Sequence, residues 1–410
     1  MPASDRDALA VLLSVQGLGP LTLARLVGRL GTPSAILALA GAANAADRLV
    51  DASRSDAGSW HAMPSNVADA LVEAAGDAPQ ILAEVRRMGV RVVTPTDPDY
   101  PRRLLGIELP PPALFVRGSL AALSSPHVVA VVGTRRPSPP GRRIASRIAA
   151  ALTKAGATVV SGLAIGIDGA AHAAVVAEQA ATVAFIGGGH ARLFPRAHDR
   201  LADAIVAAGG AVASEYAPRV EPSRGTFPQR NRLISGSADA VVVVEAGARS
   251  GALVTASWAL EQGRDCFVVP GPIDAPTSAG CNGFLRDWHD LARIVSGIPQ
   301  LLDDLGLLAE VALPGPGHHR GDATSVEIKS TVKPPTARAM LSGRSEAEQA
   351  VAEALVHGAV TVDELVAVTR RSLGEVLRAL TRLEAIGLAR ASHGRYEPAG
   401  SLASADPVAA

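Results

Sequence analysis

The 410-residue sequence has little of what commonly builds reaction centres and binding frameworks. Its two cysteines, Cys266 and Cys281, are too few for a disulfide framework and lack metal-ligand spacing, so a reducing cytoplasmic setting without a bound metal fits. Lysine occurs only at Lys154, Lys329 and Lys333, so arginine carries nearly all the positive charge. Arginine suits bidentate phosphate contact, although genome composition produces the same bias. Aromatic residues make up 3%, which leaves Ala, Val and Leu to build the cores. Basic and acidic residues balance at 39 each, which excludes a chain coated in positive charge, so any nucleic-acid site must be a local cluster. No leader is visible and no apolar run approaches the ~20 residues that span a bilayer, so no membrane partner is expected.

Two nucleotide patterns are missing as well. Gly133-Thr134-Arg135 lacks the second glycine of a dinucleotide fingerprint, and the second strand ends in Ser161-Gly162 where that fold needs an acid. No Gly-x-x-x-x-Gly-Lys-Ser/Thr occurs either. Neither NAD nor ATP is expected, and no cofactor is assigned.

What is present centres on 128–172. Val128-Val129-Ala130-Val131-Val132 reads as a buried strand, followed by Gly133-Thr134-Arg135-Arg136 and a helix from about Gly141. Thr158-Val159-Val160 runs into Ser161-Gly162-Leu163-Ala164-Ile165-Gly166-Ile167-Asp168 and His172. Two strands thus end in small-residue turns that open helices, an arrangement whose N–H groups and helix dipoles suit phosphate. Asp168 and His172, four apart, fit a helix cap and a packed histidine better than an acid–base pair, since no nucleophile accompanies them.

Before this stretch, helices flank Gln16-Gly17-Leu18-Gly19-Pro20, the form of a helix-hairpin-helix, which either holds a DNA phosphate or serves as a packing unit. Val90-Arg91-Val92-Val93 reads as a short strand and Ala113-Leu114-Phe115-Val116 as an edge strand. Strands and helices then alternate to about Asp304, which predicts a doubly wound parallel α/β sheet. Patterning fades over 313–344, a linker rich in Pro, Gly and Ser. Three helical segments and a hairpin after it describe a winged helix that either reads a DNA groove or contacts proteins.

Arginines gather at the expected carboxyl edge: Arg135 and Arg136, Arg192 and Arg196 around Phe194-Pro195, and Arg230 and Arg232 after Phe227. Such a set suits a single nucleic-acid strand, charge following the backbone while rings stack on bases. The competing reading pairs some of these arginines with Glu215, Glu245 or Asp239 inside the fold.

These motifs resemble the DprA family, also called Smf, of bacterial DNA-processing proteins. The resemblance covers roughly 97–282 and includes Tyr100-Pro101, the Gly133 and Ser161 turns, Phe194-Pro195, Ser214-Glu215-Tyr216, Phe227-Pro228-Gln229-Arg230-Asn231-Arg232 and Arg249-Ser250-Gly251. It implies an extended Rossmann-like domain that binds single-stranded DNA, loads RecA onto it during natural transformation and recombination, and forms a homodimer. The implied division is a helical helix-hairpin-helix/SAM-like domain over 1–105, the Rossmann-like domain over 106–312, the linker over 313–344, a winged helix over 345–398 and a tail over 399–410. The DNA-contacting set is Gly133, Thr134, Arg135, Ser161, Gly162, Ala164, Gly166, Arg192, Phe194, Arg196, Phe227, Arg230 and Arg232, with no catalytic residue. Two departures stand out: Gly189-His190-Ala191 lacks an acid that the family often carries, and Phe284-Leu285-Arg286-Asp287-Trp288 replaces the usual segment after Asn282. The alternative is a nucleoside-monophosphate phosphoribohydrolase, in which Arg249, Glu245 and Glu261 would surround a ribose-phosphate.

Overall fold

The computed structural model describes residues 4–54, 62–223, 225–308, 345–357, 361–385, 388–392 and 395–398. The linker expected over 313–344 and the tail expected over 399–410 lie outside the described residues. The chain divides into two compact units, Met1–Gly317 and His318–Ala410.

The first unit opens with α1 (Asp5–Leu12), α2 (Pro20–Leu30), α3 (Pro33–Ala40), α4 (Ala45–Ser53), α5 (Ser65–Gly76) and α6 (Ala78–Arg87). The starts follow local chemistry. Ser4 and Thr32 accept hydrogen bonds from Asp7 and Ala35 N–H, and Pro20 and Pro33 stand in first turns, where a missing donor costs nothing. Their apolar faces close around Leu12, Leu26, Ile36, Leu49 and Leu71.

The sheet and its helices follow as β1 (Arg91–Val93), β2 (Leu114–Gly118), β3 (Val128–Val132), α7 (Pro139–Lys154), β4 (Thr158–Ser161), α8 (Ile167–Ala177), β5 (Thr182–Phe185), α9 (Asp199–Ala207), β6 (Ala211–Ser214), α10 (Thr226–Gly236), β7 (Ala240–Val243), α11 (Gly251–Glu261), β8 (Asp265–Val268), α12 (Ala279–Asp287), β9 (Ala292–Ile294) and α13 (Ile298–Asp304). The strand order is β1-β2-β6-β5-β4-β3-β7-β8-β9. All pairings from β6 to β9 are parallel, as the βα alternation predicts, while β1 and β2 join antiparallel. β2 is not the edge strand expected of it, because Arg91–Val93 pairs along its outer side. The Tyr100 hydroxyl locks the connector by donating to Pro111 O at 2.8 Å.

β3 sits at the middle of the seven parallel strands and is buried on both faces, which explains its unbroken apolar run. Val128, Ala130 and Val132 share a core with Leu233, Ala252 and Ala256, whereas Val129 and Val131 face Ile148, Leu152 and Ile167. From β3 the chain winds outward through β4, β5 and β6, then returns to β7 on the other side. The crevice between the loops after β3 and β7 is therefore the topological switch point, where open α/β sheets bind ligands. Asp239 fixes the opposite ends of the same strands. It accepts from Arg103 Nε and Nη2 at 2.7 and 2.8 Å and from Val128 N at 2.8 Å.

In the second unit α14 (Glu346–Val356), α15 (Val362–Thr369) and α16 (Leu373–Ala385) precede an antiparallel pair, β10 (Ala389–Ser392) and β11 (Arg395–Pro398). Thr361 and Glu364 form a capping box at α15, and Val351, Leu355, Leu365, Val376, Leu380 and Leu383 fill the core. Arg382 binds Glu348 at 3.0 Å, which ties α16 to α14.

Candidate functional site

Three loops close on one another above the sheet. A side chain at Gly133 would collide with Ile167, and one at Gly166, where φ is 101°, would collide with the backbone of Thr134 and Arg135. The turns after β3 and β4 therefore touch directly, which only glycine permits here. Thr134 N donates to Glu245 O at 2.7 Å and Ile167 N to Thr134 O at 3.3 Å, so the loop after β7 joins them.

The Glu245 carboxylate, buried in the position a Gly141 side chain would take, accepts from Ser138 N at 2.9 Å and sits at the start of α7. A carboxylate at a helix N-terminus is favourably placed. The role that the phosphoribohydrolase alternative gives Glu245 needs that carboxylate free beside Arg249, and it is committed elsewhere.

Two hollows open along this edge. One, of about 330 Å³, is lined by Thr134, Asp168, Asn231, Arg249 and Thr255 among others. The second, of about 300 Å³, is lined by Gly162, Ile165, Phe194 and Pro195. Arg135, Arg136, Ala164, Phe227 and Arg230 border both. Arg135 stands over the Phe227 ring, its Cζ 5.0 Å from the centroid, and the Phe227 and Phe194 rings lie 5.7 Å apart at 58°.

Of the six phenylalanines, Phe115, Phe185, Phe267 and Phe284 are in the core, so the two left near solvent are the two paired here. Phe194 is 49% exposed. Burying such a ring is worth about 1.5–3 kcal/mol, so leaving a pair of them at a cationic crevice points to a ligand that covers them.

The residues singled out from the sequence divide into groups. Gly133, Thr134, Arg135, Ala164, Gly162, Phe194 and Phe227 line the crevice, and Gly166 braces it. Arg196 is exposed nearby, while exposed Arg192 pairs with Glu221 at 2.5 Å, an ion pair on the surface and therefore weak.

Three assignments change. Arg232 is not on the track: it is buried and gripped by both Glu215 oxygens at 2.5 and 2.7 Å, with Leu109 O at 2.6 Å. Ser161 is fully buried, and its hydroxyl donates to Val131 O at 2.6 Å. Arg230 borders the crevice from beneath, only 4% exposed, donating to Gly162 O at 2.6 Å and to Phe185 O. Burial pushes its guanidinium down to about 10 against the pull of Asp168, so it stays charged at neutral pH. Burial likewise pushes the Asp168 carboxyl up, with Arg230 opposing.

Asn231 and Thr255 were not assigned from the sequence to this edge, and Arg249 was assigned to a phosphate only in the phosphoribohydrolase alternative. The Arg249-Ser250-Gly251 turn opening α11 was the available signal, since it follows the strand at the switch point. Among the described residues, Arg135, Arg136, Arg196 and Arg249 make no ion pair. The Gly17–Gly19 turn faces Tyr216, Glu221 and Gln229 across a cavity of about 360 Å³, surroundings with carboxylates that suit a packing unit better than a phosphate clamp.

His172 is structural, as its spacing to Asp168 suggested. Its Nδ1 lies 2.9 Å from Thr182 Oγ1, which donates to Val159 O at 2.6 Å. Burial lowers its pKa to about 3, helped by His198 and Arg230, and burial lowers that of His190 to about 4 while its Nε2 holds Phe115 O at 2.9 Å. Both folded values lie below the unfolded 6.5. Their stabilisation is therefore complete above that pH and is lost as pH falls toward 4 and 3. Lowering pH from 7 to 5 should cost about 2 kcal/mol at His172 alone. Urea midpoints measured against pH should flatten in His172→Gln; an unchanged slope would refute this account.

Among the described residues no single helix is long and apolar enough to cross a membrane, and no group of three or more His, Cys, Asp or Glu side chains is placed to hold a metal.

Comparison with known proteins gives a consistent result. The model of the DNA recombination-mediator protein A family matches residues 91–306, and that of the DprA winged helix domain matches residues 333–395. Protein Smf of Synechocystis sp. is 36% identical over 344 residues, covering 78% of this chain and 82% of its own. The DNA processing protein DprA of Bacillus subtilis is 38% identical over 202 residues, covering 49% and 68%. The X-ray structure of DNA processing protein A from Streptococcus pneumoniae matches with a TM-score of 0.58 at 31% identity, covering 74% of this chain and 99% of that one. The sheet order, the glycine turns and these relatives agree: the chain belongs to the DNA recombination-mediator protein A family, the DprA/Smf proteins.

Proposed function

We propose that the chain binds single-stranded DNA along this crevice and delivers it to RecA, without being an enzyme. The observation that carries the reading is the Phe194–Phe227 pair left near solvent beside Arg135, Arg136 and Arg196, which make no ion pair among the described residues. Rings that stack on any base, next to cations that follow any backbone, suit an unpaired strand; a duplex keeps its base faces covered. Phosphates would lie on the Gly133 and Gly162–Gly166 turns.

The expected division assigns this work to 106–312, with 1–105 and 345–398 as flanking modules. A homodimer is part of the proposal, supported by exposed Trp288, Leu291 and Ile294 around β9 at the end of the sheet. They lie in and just beyond the segment whose sequence departs from the family.

The test is titration of labelled single-stranded and duplex oligonucleotides of equal length. We expect tighter single-strand binding, with log K falling against log salt at a slope of roughly −3 for four arginine–phosphate contacts. Equal affinity for both forms would overturn the reading. RecA filament nucleation on protein-coated single strands, faster with the chain than without it, tests the delivery step.

A further inference from the structure

The 330 Å³ hollow at the switch point contains more than a passing backbone needs. Its outer side presents exposed Arg135, Arg136 and Arg249. α11 starts at the same place, capped by Ser250, whose side chain accepts from Ala252 N at 3.3 Å. Gly251 has nothing within 4 Å of where a Cβ would stand, so an anion can approach the helix start closely. Beneath lie Val132, Asp168, Ile234, Ala252 and Thr255, all buried, which close the hollow from below. Thr255 is 2% exposed, and its hydroxyl has no hydrogen-bond partner among the described residues.

We propose that this hollow is a site for a nucleoside phosphate monoester, filled on DNA by a phosphorylated strand end. The proposal rests on the single-strand reading above and extends it from the backbone to the terminus.

Charge and shape both lead there. A diester carries one negative charge, whereas a monoester carries about −1.5 to −2, the better match to three guanidiniums and a helix start. The buried Asp168 carboxylate would repel a phosphate but accepts from a sugar hydroxyl or a base N–H. The phosphate therefore belongs at the exposed side and the nucleoside below, within reach of Thr255. A hollow closed from below admits one terminal unit, and the strand leaves it on the side of the neighbouring hollow, with which it shares Arg135, Arg136, Ala164, Phe227 and Arg230. Its volume lies in the range of small-molecule pockets. The neighbouring hollow, with Phe194 and Ile165 beside it, takes the next bases.

The full chain should be titrated with one oligonucleotide in three forms: 5′-phosphate, 3′-phosphate and unphosphorylated. A deoxynucleoside 5′-monophosphate serves as free competitor and as a thermal-shift ligand. One phosphorylated form should bind about tenfold more tightly than the unphosphorylated strand, as expected for added charge-assisted hydrogen bonds. Arg249→Ala should bring that form down to the affinity of the unphosphorylated strand, and Arg249→Lys should retain most of the difference.

Equal affinity of all three forms, with no thermal shift from the monophosphate, overturns the inference while leaving the single-strand reading intact. A thermal shift that Arg249→Ala abolishes, without any end preference, assigns the same site to free nucleotides. Absence of binding to every strand would instead sink the single-strand reading, and the monophosphate arm then decides the site alone.

Discussion

Arg135→Ala is expected to weaken single-stranded DNA binding by roughly 10- to 100-fold, the value of one or two hydrogen bonds to a charged group. Among the described residues no other side chain combines the three features of this one. It borders both hollows, lies over the Phe227 ring and makes no ion pair among the described residues. Its removal takes away a phosphate ligand and uncovers a ring face. The fold should hardly notice, because the side chain is exposed and spans a gap instead of filling one. The salt dependence supplies a second readout, since losing one phosphate contact should make the slope shallower by about 0.7. Arg135→Lys should recover part of the affinity, because charge survives while the planar fork does not. Undiminished binding by Arg135→Ala would remove the crevice from consideration.

Glu215→Ala should have the opposite profile, destabilising the fold by about 3–5 kcal/mol, because it strands the buried Arg232 guanidinium without its partner. Both side chains are under a tenth exposed, and both carboxylate oxygens accept from Arg232 Nη2. In thermal unfolding this corresponds to a Tm lowered on the order of 10 °C. The double variant Glu215→Leu/Arg232→Met should recover much of the loss, since a buried pair replaced by apolar side chains is often neutral. An additive double variant would show that the pair is not coupled. Arg232→Met, tested below its own Tm, should leave the salt slope of DNA binding unchanged, which separates it from Arg135→Ala.

The contrast between these two arginines shows what a sequence can and cannot disclose. Strands and glycine turns were legible because β-branched runs and small residues impose local geometry that neighbouring elements have little freedom to change. Gly166 had to be glycine for a steric reason, and its position after an apolar strand announced a turn. The direction of Arg232 was not legible. It shares α10 with Arg230, two residues earlier, so the two leave the helix on different sides, yet α10 is covered broadly enough to bury both. Glu215, which selects the inward course, comes from the end of β6, and only the folded sheet brings it there. Ser161 misled for a related reason: at the end of a buried strand its hydroxyl serves the adjacent strand's carbonyl before any ligand. The value of Arg249 was hidden by topology, since β7 is neighbour to β3 only because the chain returns across the sheet.

That return also has a bearing on how the molecule is made. Ser138 N and the Glu245 carboxylate that fixes the loop after β3 are 107 residues apart, while Ser161 reaches β3 from only 30 residues away. During synthesis β3 can pair with β4 early, but its other side stays open until β7 has left the ribosome. Long-range closure of this kind is slow, and an uncovered apolar strand edge invites pairing with other chains. The edge that carries the crevice is thus among the last parts of the sheet to take shape, and a nascent chain ending before Ala240 holds both glycine turns without the wall that makes them a crevice.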